Sequence, residues 1–196
     1  WGSLLLVVVA VLQLQQLRMD QLLVVQDGTR QWVVARHDGR GGLISRRADA
    51  FSCSRSAQLA NGLGIPRYDW VVLLDPVASE QPACWAELTP TLLAPQNGGS
   101  VLQLGQRLQS PGLAVEALTS DSQALRLEAG RLHWGVLPDR QSWWSWRDQL
   151  SAKASRLDGL WLGFTPRPSE RRQLPALPAS RLWWPADGSP SGWHQA

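Results

Sequence analysis

The residues best placed for chemistry follow a short apolar run. Trp70–Leu74 reads as a buried strand, and the strand leads directly into Asp75 and Pro76. In many hydrolases a buried strand of this kind precedes a cluster of histidines that ligate metal ions. Here the corresponding stretch, Asp75–Glu80, contains two acids and a serine but no histidine. The sequence therefore has the strand that would position a metal site and lacks the imidazole ligands.

Other catalytic patterns are missing as well. His37, His133 and His194 are far apart in the chain and form no HxH or HxxxH pair. The sequence has no G-x-S-x-G elbow, and neither Cys53 nor Cys84 has a histidine nearby in sequence. It also lacks the G-K-[ST] of a phosphate-binding loop. The absence of these motifs indicates a non-catalytic domain.

A local group of tryptophans and arginines suggests a binding surface. Twelve of the 196 residues are tryptophan, and Trp143, Trp144 and Trp146 lie between Arg140 and Arg147. On a helix Trp143 and Trp146 share a face while Trp144 points elsewhere. Aromatic rings beside guanidinium groups can stack bases and pair with phosphates, so Arg140, Trp143, Trp144 and Arg147 are candidates for binding single-stranded nucleic acid. Core packing or a domain boundary would use the same tryptophans.

Composition is that of a folded domain. Hydrophobic residues make up 44% and charged residues 18% of its 196 residues, which favours a folded domain over a disordered tail. The net charge is +3, far from the strong positive charge of many nucleic-acid-binding proteins. Two cysteines are too few for a disulfide framework or a four-cysteine zinc site. Buried free thiols are the expected state of Cys53 and Cys84, with a single bridge between them as the alternative.

The first residues leave two interpretations open. The chain begins at Trp1 and reads as a piece of something longer. Residues 4–12 are uninterrupted and apolar, but this run is far shorter than the ~20 residues of a spanning helix. Residues 1–14 are therefore either a first, buried strand or the end of a preceding membrane segment.

Strand-length apolar runs alternate with amphipathic segments in the first half of the chain. The Gly-rich stretch Asp38–Gly42 predicts a flexible loop. A helix is expected over residues 54–64, with Ser54 as its N-cap, and a second over Ala83–Leu88. The predicted strands are Leu6–Leu14, Leu22–Val25, Trp32–Ala35 and Trp70–Leu74.

The second half repeats this style. A helix is predicted over Ser142–Ser155, with Ser142 as its cap, and a polar linker follows Thr165. In both halves hairpins come first and strand–helix alternation follows, which predicts two sheets packed face to face with helices outside. The predicted strands are Leu92–Ala94, Leu113–Leu118, Leu125–Glu128, Leu132–Leu137, Gly159–Leu162 and Leu182–Trp184.

Several stretches carry a resemblance to a known family. They are, in chain order, Gln15–Asp20, the hairpin 22–34, Gln58–Asp69, Asp75–Glu80, Gly135–Asp139 and Leu160–Pro166. In order and spacing they resemble the C-terminal, metallo-β-lactamase-like domain of ComEC-type channels, which pass single-stranded DNA during natural transformation. The resemblance implies a four-layer αββα sandwich over residues 15–186, with residues 187–196 as a tail.

The metal-binding motifs of that family are largely replaced here. The family ends its first strand in Asp-Val-Gly-Gln-Gly-Asp, of which only Asp20 is kept, and Asp139 matches its bridging aspartate. The family motif Ser-His-x-x-x-Asp-His corresponds to Leu74, Asp75, Ser79 and Glu80. Leu160–Pro166 replaces the stretch that carries a histidine pair.

The resemblance therefore implies a non-catalytic, extramembrane domain of a ComEC-like channel. Single-stranded DNA and the channel upstream of Trp1 would be its partners, the cell membrane its location, and no cofactor or small-molecule substrate is expected. One alternative is an active hydrolase of the same fold that holds Mg²⁺ or Mn²⁺ with carboxylates. Another is a tryptophan-rich binding module, for example for carbohydrate, on an unrelated β-rich fold. The carboxylates of the first alternative are Asp20, Asp75, Glu80 and Asp139.

Overall fold

The computed structural model describes seven stretches of the chain. These are residues 19–77, 82–95, 101–120, 123–149, 157–174, 179–185 and 193–195. The predicted strand Leu6–Leu14, the whole of segment 1–14 and the candidate ligand Glu80 lie outside the described residues. Within the described stretches, no helix is both long and apolar enough to span a membrane.

The first half of the chain forms a five-stranded sheet with the order β1-β2-β3-β4-β5. β1, β2 and β3 are joined as antiparallel hairpins, whereas β3, β4 and β5 are parallel neighbours. Helix α1 connects β3 to β4, and α2 connects β4 to β5. The elements are β1 (Gln21–Asp27), β2 (Arg30–His37), β3 (Arg40–Ser45), α1 (Ala50–Gly62), β4 (Trp70–Leu73), α2 (Pro82–Leu88) and β5 (Leu92–Leu93).

The second half forms a seven-stranded sheet with the order β12-β11-β10-β9-β8-β7-β6. Its antiparallel hairpins again come first, and β9, β10 and β11 then run parallel. Helix α3 connects β9 to β10, and α4 connects β10 to β11. The elements are β6 (Arg107–Ser110), β7 (Leu113–Ala117), β8 (Leu125–Ala129), β9 (Leu132–Leu137), α3 (Arg140–Gln149), β10 (Gly159–Leu162), α4 (Pro168–Arg171), β11 (Leu182–Pro185) and β12 (Trp193–Gln195).

The apolar side chains divide the domain into four layers. Inward-facing residues of both sheets, such as Val33 of β2 and Val115 of β7, pack into one core between the sheets. Trp32, the neighbour of Val33, faces outward and packs with α1 and α2 in a second core, because successive strand residues point to opposite faces. A third core lies between the second sheet and α3, around Leu160. This arrangement confirms the predicted αββα sandwich.

The Gly-rich stretch that predicted a flexible loop is instead a tight turn followed by a strand. Asp38 and Gly39 both have positive φ, 47° and 74°, as a two-residue hairpin turn requires. Gly41 and Gly42 belong to β3. A Cβ atom on Gly42 would overlap the indole ring of Trp70, so these glycines allow large side chains to lie directly against the strand. The prediction failed because glycine composition alone does not reveal what packs against it.

Both long helices begin earlier than predicted, and in each an aspartate replaces the expected serine cap. Asp49 Oδ1 accepts a hydrogen bond of 2.7 Å from the Ser52 amide at the start of α1, so Ser54 lies inside the helix. At the start of α3, Asp139 Oδ1 accepts 2.8 Å hydrogen bonds from the amide and the hydroxyl of Ser142. The rest of the helix predicted over Ser142–Ser155, beyond Gln149, lies outside the described residues.

The prediction of free thiols was wrong. Cys53 of α1 and Cys84 of α2 form a disulfide, with their Cα atoms 6.4 Å apart. Cys53 is fully buried and Cys84 is exposed. The two helices lie side by side on the outer face of the first sheet, and this proximity cannot be read from residues 31 positions apart in sequence.

Candidate functional site

Five strand ends meet at one edge of the sandwich. β3 and β4 end together, since Ser45 pairs with Leu73, and the start of β2 lies beside them. In the second sheet β9 and β10 end together at Leu137 and Leu162. This edge is called here the strand-end surface, and its polar positions and turns are Gln31, Arg46, Asp75, Asp139 and Gly163.

An arginine–glutamine bridge joins the two sheets at this surface. Arg46 Nη1 donates to the carbonyl of Pro138, 2.7 Å away, and more weakly to Gln31 Oε1 at 3.4 Å. Gln31 is only 4% exposed, and its amide donates to the carbonyl of Gly163 at 2.5 Å. The two side chains therefore link β2 and β3 to the ends of β9 and β10 without any metal ligand.

The bridge also shapes the charge and the space at the strand ends. A Cβ atom at Gly163 would come within 2.7 Å of Gln31 Oε1 and 2.5 Å of the Pro138 carbonyl, so glycine is required there for the sheets to approach. Among the described residues, no carboxylate lies within ion-pairing distance of Arg46. Because a guanidinium is permanently charged, this position repels cations and is suited to anions.

Asp75 and Asp139, the two described acids of the strand-end surface, have structural partners. Asp139 caps α3, and its Oδ1 is occupied by Ser142. Asp75 Oδ2 lies 3.1 Å from Nη1 of Arg47. Each carboxylate thus has a local partner, and the two are engaged in different elements of the fold.

Asp20 lies at the opposite end of the sandwich. Its Oδ1 is 2.6 Å from Nδ1 of His37, and its Oδ2 accepts a hydrogen bond from the Arg131 amide. His37 ends β2 whereas Gln31 is near its start, so six residues of extended strand, about 20 Å, separate Asp20 from the strand-end surface. Asp20 and Asp139 therefore lie too far apart to ligate one ion, and Glu80, another candidate of the four-carboxylate hypothesis, lies outside the described residues.

The environment of Asp20 favours its ionised form. Partial burial opposes ionisation, but the hydrogen bonds from His37 and from the Arg131 amide outweigh it, and the pKa of Asp20 lies below its ordinary value of 3.8. This interaction joins β1 and β2 to the β8–β9 hairpin. Asp20 therefore links the two sheets.

The histidines do not extend these acids into a metal centre. His133 is the second residue of β9, far from the strand-end surface, with its Nδ1 3.5 Å from Asp158, and the side chain of His194 lies outside the described residues. In the part of the chain that the structure describes, no group of three His, Cys, Asp or Glu side chains is close enough to hold a metal ion.

The predicted nucleic-acid residues divide into buried and exposed members. Trp143 is 1% exposed and packs with Trp146 in the core beneath α3, so the expectation that Trp143 contacts nucleic acid is wrong. Trp144 is 37% exposed, and the guanidinium of Arg147 lies 4.3 Å from its ring centroid. Arg140 donates to the Thr165 carbonyl and lies beside the buried carboxylate of Glu170. Burial of Trp143 and Trp146 counts against a tryptophan-rich carbohydrate module.

Helix α4 adds basic residues that the sequence predicted to lie in a solvated linker. The Glu170 carboxylate accepts from the Arg167 amide and caps this short helix. Arg147 of α3 donates to Gln173, which brings α3 and the end of α4 together. The resulting surface is called the α3–α4 surface, and its members are Arg140, Trp144, Arg147, Arg171 and Arg172.

A cavity of about 630 Å³ opens beside the edge strand β1. Trp134 and Trp183, packed edge to face with centroids 5.2 Å apart, form part of its wall together with Leu22 and Leu132. Asp20, Asp158 and Arg181 lie at its polar side. The cavity lies at the opposite end from the strand-end surface, and nothing in the sequence pattern pointed to it.

Comparisons with known proteins give little sequence information. No family model matches the chain. No curated protein matches it. Among solved structures, ETHE1 from Myxococcus xanthus is similar at 11% identity and a TM-score of 0.45, over 89% of this chain and 79% of that one.

A similarity at that level does not support inference about activity, and the fold assignment rests on the layers and strand order. Two mixed sheets lie face to face, each with leading hairpins and parallel trailing strands, and helices cover both outer faces. The chain thus has a four-layer αββα sandwich fold.

Proposed function

We propose that this chain is a non-catalytic domain of a ComEC-like channel that imports single-stranded DNA during natural transformation. In this proposal the polypeptide upstream of Trp1 attaches the domain to the cell membrane, and the domain acts as a scaffold and strand guide. The order of motifs along the sequence and the αββα fold support the assignment.

The Arg46–Gln31 bridge is the observation that carries the non-catalytic part of the proposal. Two-metal hydrolysis needs imidazoles and carboxylates converging on ions about 4 Å apart. At the corresponding strand ends this chain has a guanidinium hydrogen-bonded to the Pro138 carbonyl and a buried glutamine bonded to Gly163. A fixed positive charge disfavours a divalent cation, and the aspartate that matches the family, Asp139, caps a helix.

The α3–α4 surface supports the DNA part of the proposal. Trp144 offers an exposed ring on which a base can stack. Arg147 lies against that ring, and its guanidinium pairs with the exposed carboxylate of Asp148 at 2.8 Å, which a phosphate would have to displace. Arg171 and Arg172 extend the positive charge along α4, and both are exposed. Because phosphate contacts release counterions, affinity on this surface should fall as salt rises.

A nuclease assay tests the non-catalytic assignment. Purified domain is incubated with a labelled single-stranded oligonucleotide and Mn²⁺, Zn²⁺ or Mg²⁺, and we expect the oligonucleotide to remain intact. The matched variant is Asp139→Asn, since asparagine retains the cap of α3 but is a poor metal ligand. Metal-dependent cleavage that disappears in folded Asp139→Asn protein would overturn the proposal.

A binding assay tests the α3–α4 surface. We expect the double variant Trp144→Ala/Arg147→Gln to bind a fluorescent single-stranded oligonucleotide about tenfold more weakly, because one stacked base contributes ~1–3 kcal/mol. Arg55→Gln is the control, since Arg55 is exposed on α1 and its guanidinium donates to Gln58, a neighbour on the same helix. Equal affinity of all three proteins would rule out this surface.

A genetic experiment tests the role in DNA uptake itself. The same substitutions are introduced into the chromosomal copy of the gene, and transformation frequency is measured with the level of the protein as a control. We expect Trp144→Ala/Arg147→Gln to lower the frequency and Arg55→Gln to leave it unchanged. An unchanged frequency in a strain that lacks the whole domain would remove DNA uptake as its function.

A further inference from the structure

The disulfide uses both cysteines of the chain and joins two helices of the outer layer. The sequence contains only Cys53 and Cys84, and the structure leaves no free thiol. Their Cα separation of 6.4 Å lies within the range of native disulfides. Cys53 is buried among the apolar residues of the outer core, whereas Cys84 faces solvent. One sulfur is therefore protected and the other is accessible.

The bond fixes a helix that cannot be stable by itself. Helix α2 has seven residues, fewer than the ~12–15 that an isolated helix needs in water. Trp85 anchors it from one side, since the ring is fully buried and its indole N–H donates to the Ala48 carbonyl at 2.9 Å. The bond to Cys53 anchors it to α1. Together they hold α2, which lies between β4 and β5 in the chain, against the outer face of the first sheet.

Formation of this bond requires an oxidant. Two thiols become one S–S bond, and two protons and two electrons leave; a dithiol–disulfide oxidoreductase in its oxidised form accepts the electrons and becomes reduced. The exposed Cys84 can form the mixed disulfide with that enzyme, and the buried Cys53 can then attack the Cys84 sulfur and release the reduced enzyme. Such bonds persist in oxidising compartments and are rare in the cytosol, where thiols are kept reduced.

We propose that the domain folds and works in an oxidising compartment outside the cytoplasm, where a thiol oxidant closes the Cys53–Cys84 bond and so fixes α2 on α1. Resting on the proposed function, this places the domain of the channel on the non-cytoplasmic side of the membrane. There it would meet DNA before the strand crosses.

Thiol trapping on the protein in its own cells tests this inference. Cells are quenched in acid, the denatured protein is treated with a maleimide that adds mass, and the modified thiols are counted before and after reduction. We expect no modified thiol before reduction and two afterwards, and both thiols modified directly when the chain is made without an export signal in a reducing cytoplasm. Two modified thiols in unreduced protein from its own cells would overturn the inference.

Two features keep this test independent of folding defects and of the proposed function. The count is made on the wild-type chain, so no variant has to fold. Cys84→Ser serves only as a control for the count, since Cys53 without its partner should be the single modified thiol before and after reduction. Free thiols in protein from its own cells would overturn the inference of an oxidising compartment and would leave the nuclease and DNA-binding results unchanged. Conversely, metal-dependent cleavage by fully oxidised protein would overturn only the proposed function.

Discussion

Removing the disulfide should have a large effect on stability, and its size follows from the position of the cysteines. The bond closes a loop with a sequence separation of 31 residues. The loop-closure relation, ΔS ≈ −2.1 − 1.5R ln n cal/mol/K, then gives about 12 cal/mol/K, or about 3.7 kcal/mol at 25 °C. This is a substantial fraction of the roughly 5–15 kcal/mol by which domains are stable.

The variant that isolates this effect is Cys84→Ser. Cys84 is exposed, so a serine removes the bond without leaving a cavity, while Cys53 keeps its packing in the outer core. Urea unfolding of oxidised wild type and of Cys84→Ser should differ by about 3.7 kcal/mol. Ser54→Ala, an exposed change on α1 beside Cys53, is the control and should stay within about 0.5 kcal/mol.

A reductant provides an internal check on the same material. Dithiothreitol should lower the unfolding free energy of the wild type to the level of the variant and leave Cys84→Ser unchanged. A difference below about 1 kcal/mol between oxidised wild type and Cys84→Ser would refute the reasoning, because removal of a native disulfide from a small domain typically costs about 2–5 kcal/mol.

Two further predictions concern the ends of the sandwich. Arg46→Leu should lower the unfolding free energy by about 2 kcal/mol, because a charged hydrogen bond to the Pro138 carbonyl is lost. The control Arg55→Leu should change the unfolding free energy by less than about 0.5 kcal/mol. Equal losses for the two variants in urea unfolding would contradict the role of the Arg46–Gln31 bridge. At the other end, the pKa of Asp20 is depressed in the folded state, so its contribution is fully present above the unfolded value and is lost as pH falls through the folded one. Asp20→Asn should therefore be less stable than wild type at pH 7 but lose less stability between pH 5 and pH 2, as followed by circular dichroism; parallel pH curves would contradict this.

Local pattern determined much of the fold. The hairpin of β8 and β9 was readable because apolar and polar residues alternate on either side of Gly130, and β9 begins and ends as predicted at Leu132 and Leu137. The succession of hairpins and strand–helix units predicted the two-sheet sandwich with outer helices. The missing histidine cluster after Trp70–Leu74 was visible for the same reason: the signal lies within a few residues.

Where local pattern and packing compete, the sequence alone gave the wrong answer. The glycines of β3 read as a loop, but the indole of Trp70 fills the space above Gly42 and makes a strand favourable there. For Trp143 and Trp144 the helical period correctly predicted different faces, because the helix turns about 100° per residue, but it did not show that the face of Trp143 is the buried one.

Only the tertiary structure decided which chemical groups meet. It brought Gln31, Arg46, Pro138 and Gly163 together across more than a hundred residues, joined Cys53 to Cys84, and placed Asp20 at the opposite end from Asp139. Periodicity predicts the face on which a side chain lies, because it depends on neighbours in the chain. Which faces and strand ends meet depends on how two sheets pack, a property of the whole core that no short stretch of sequence contains.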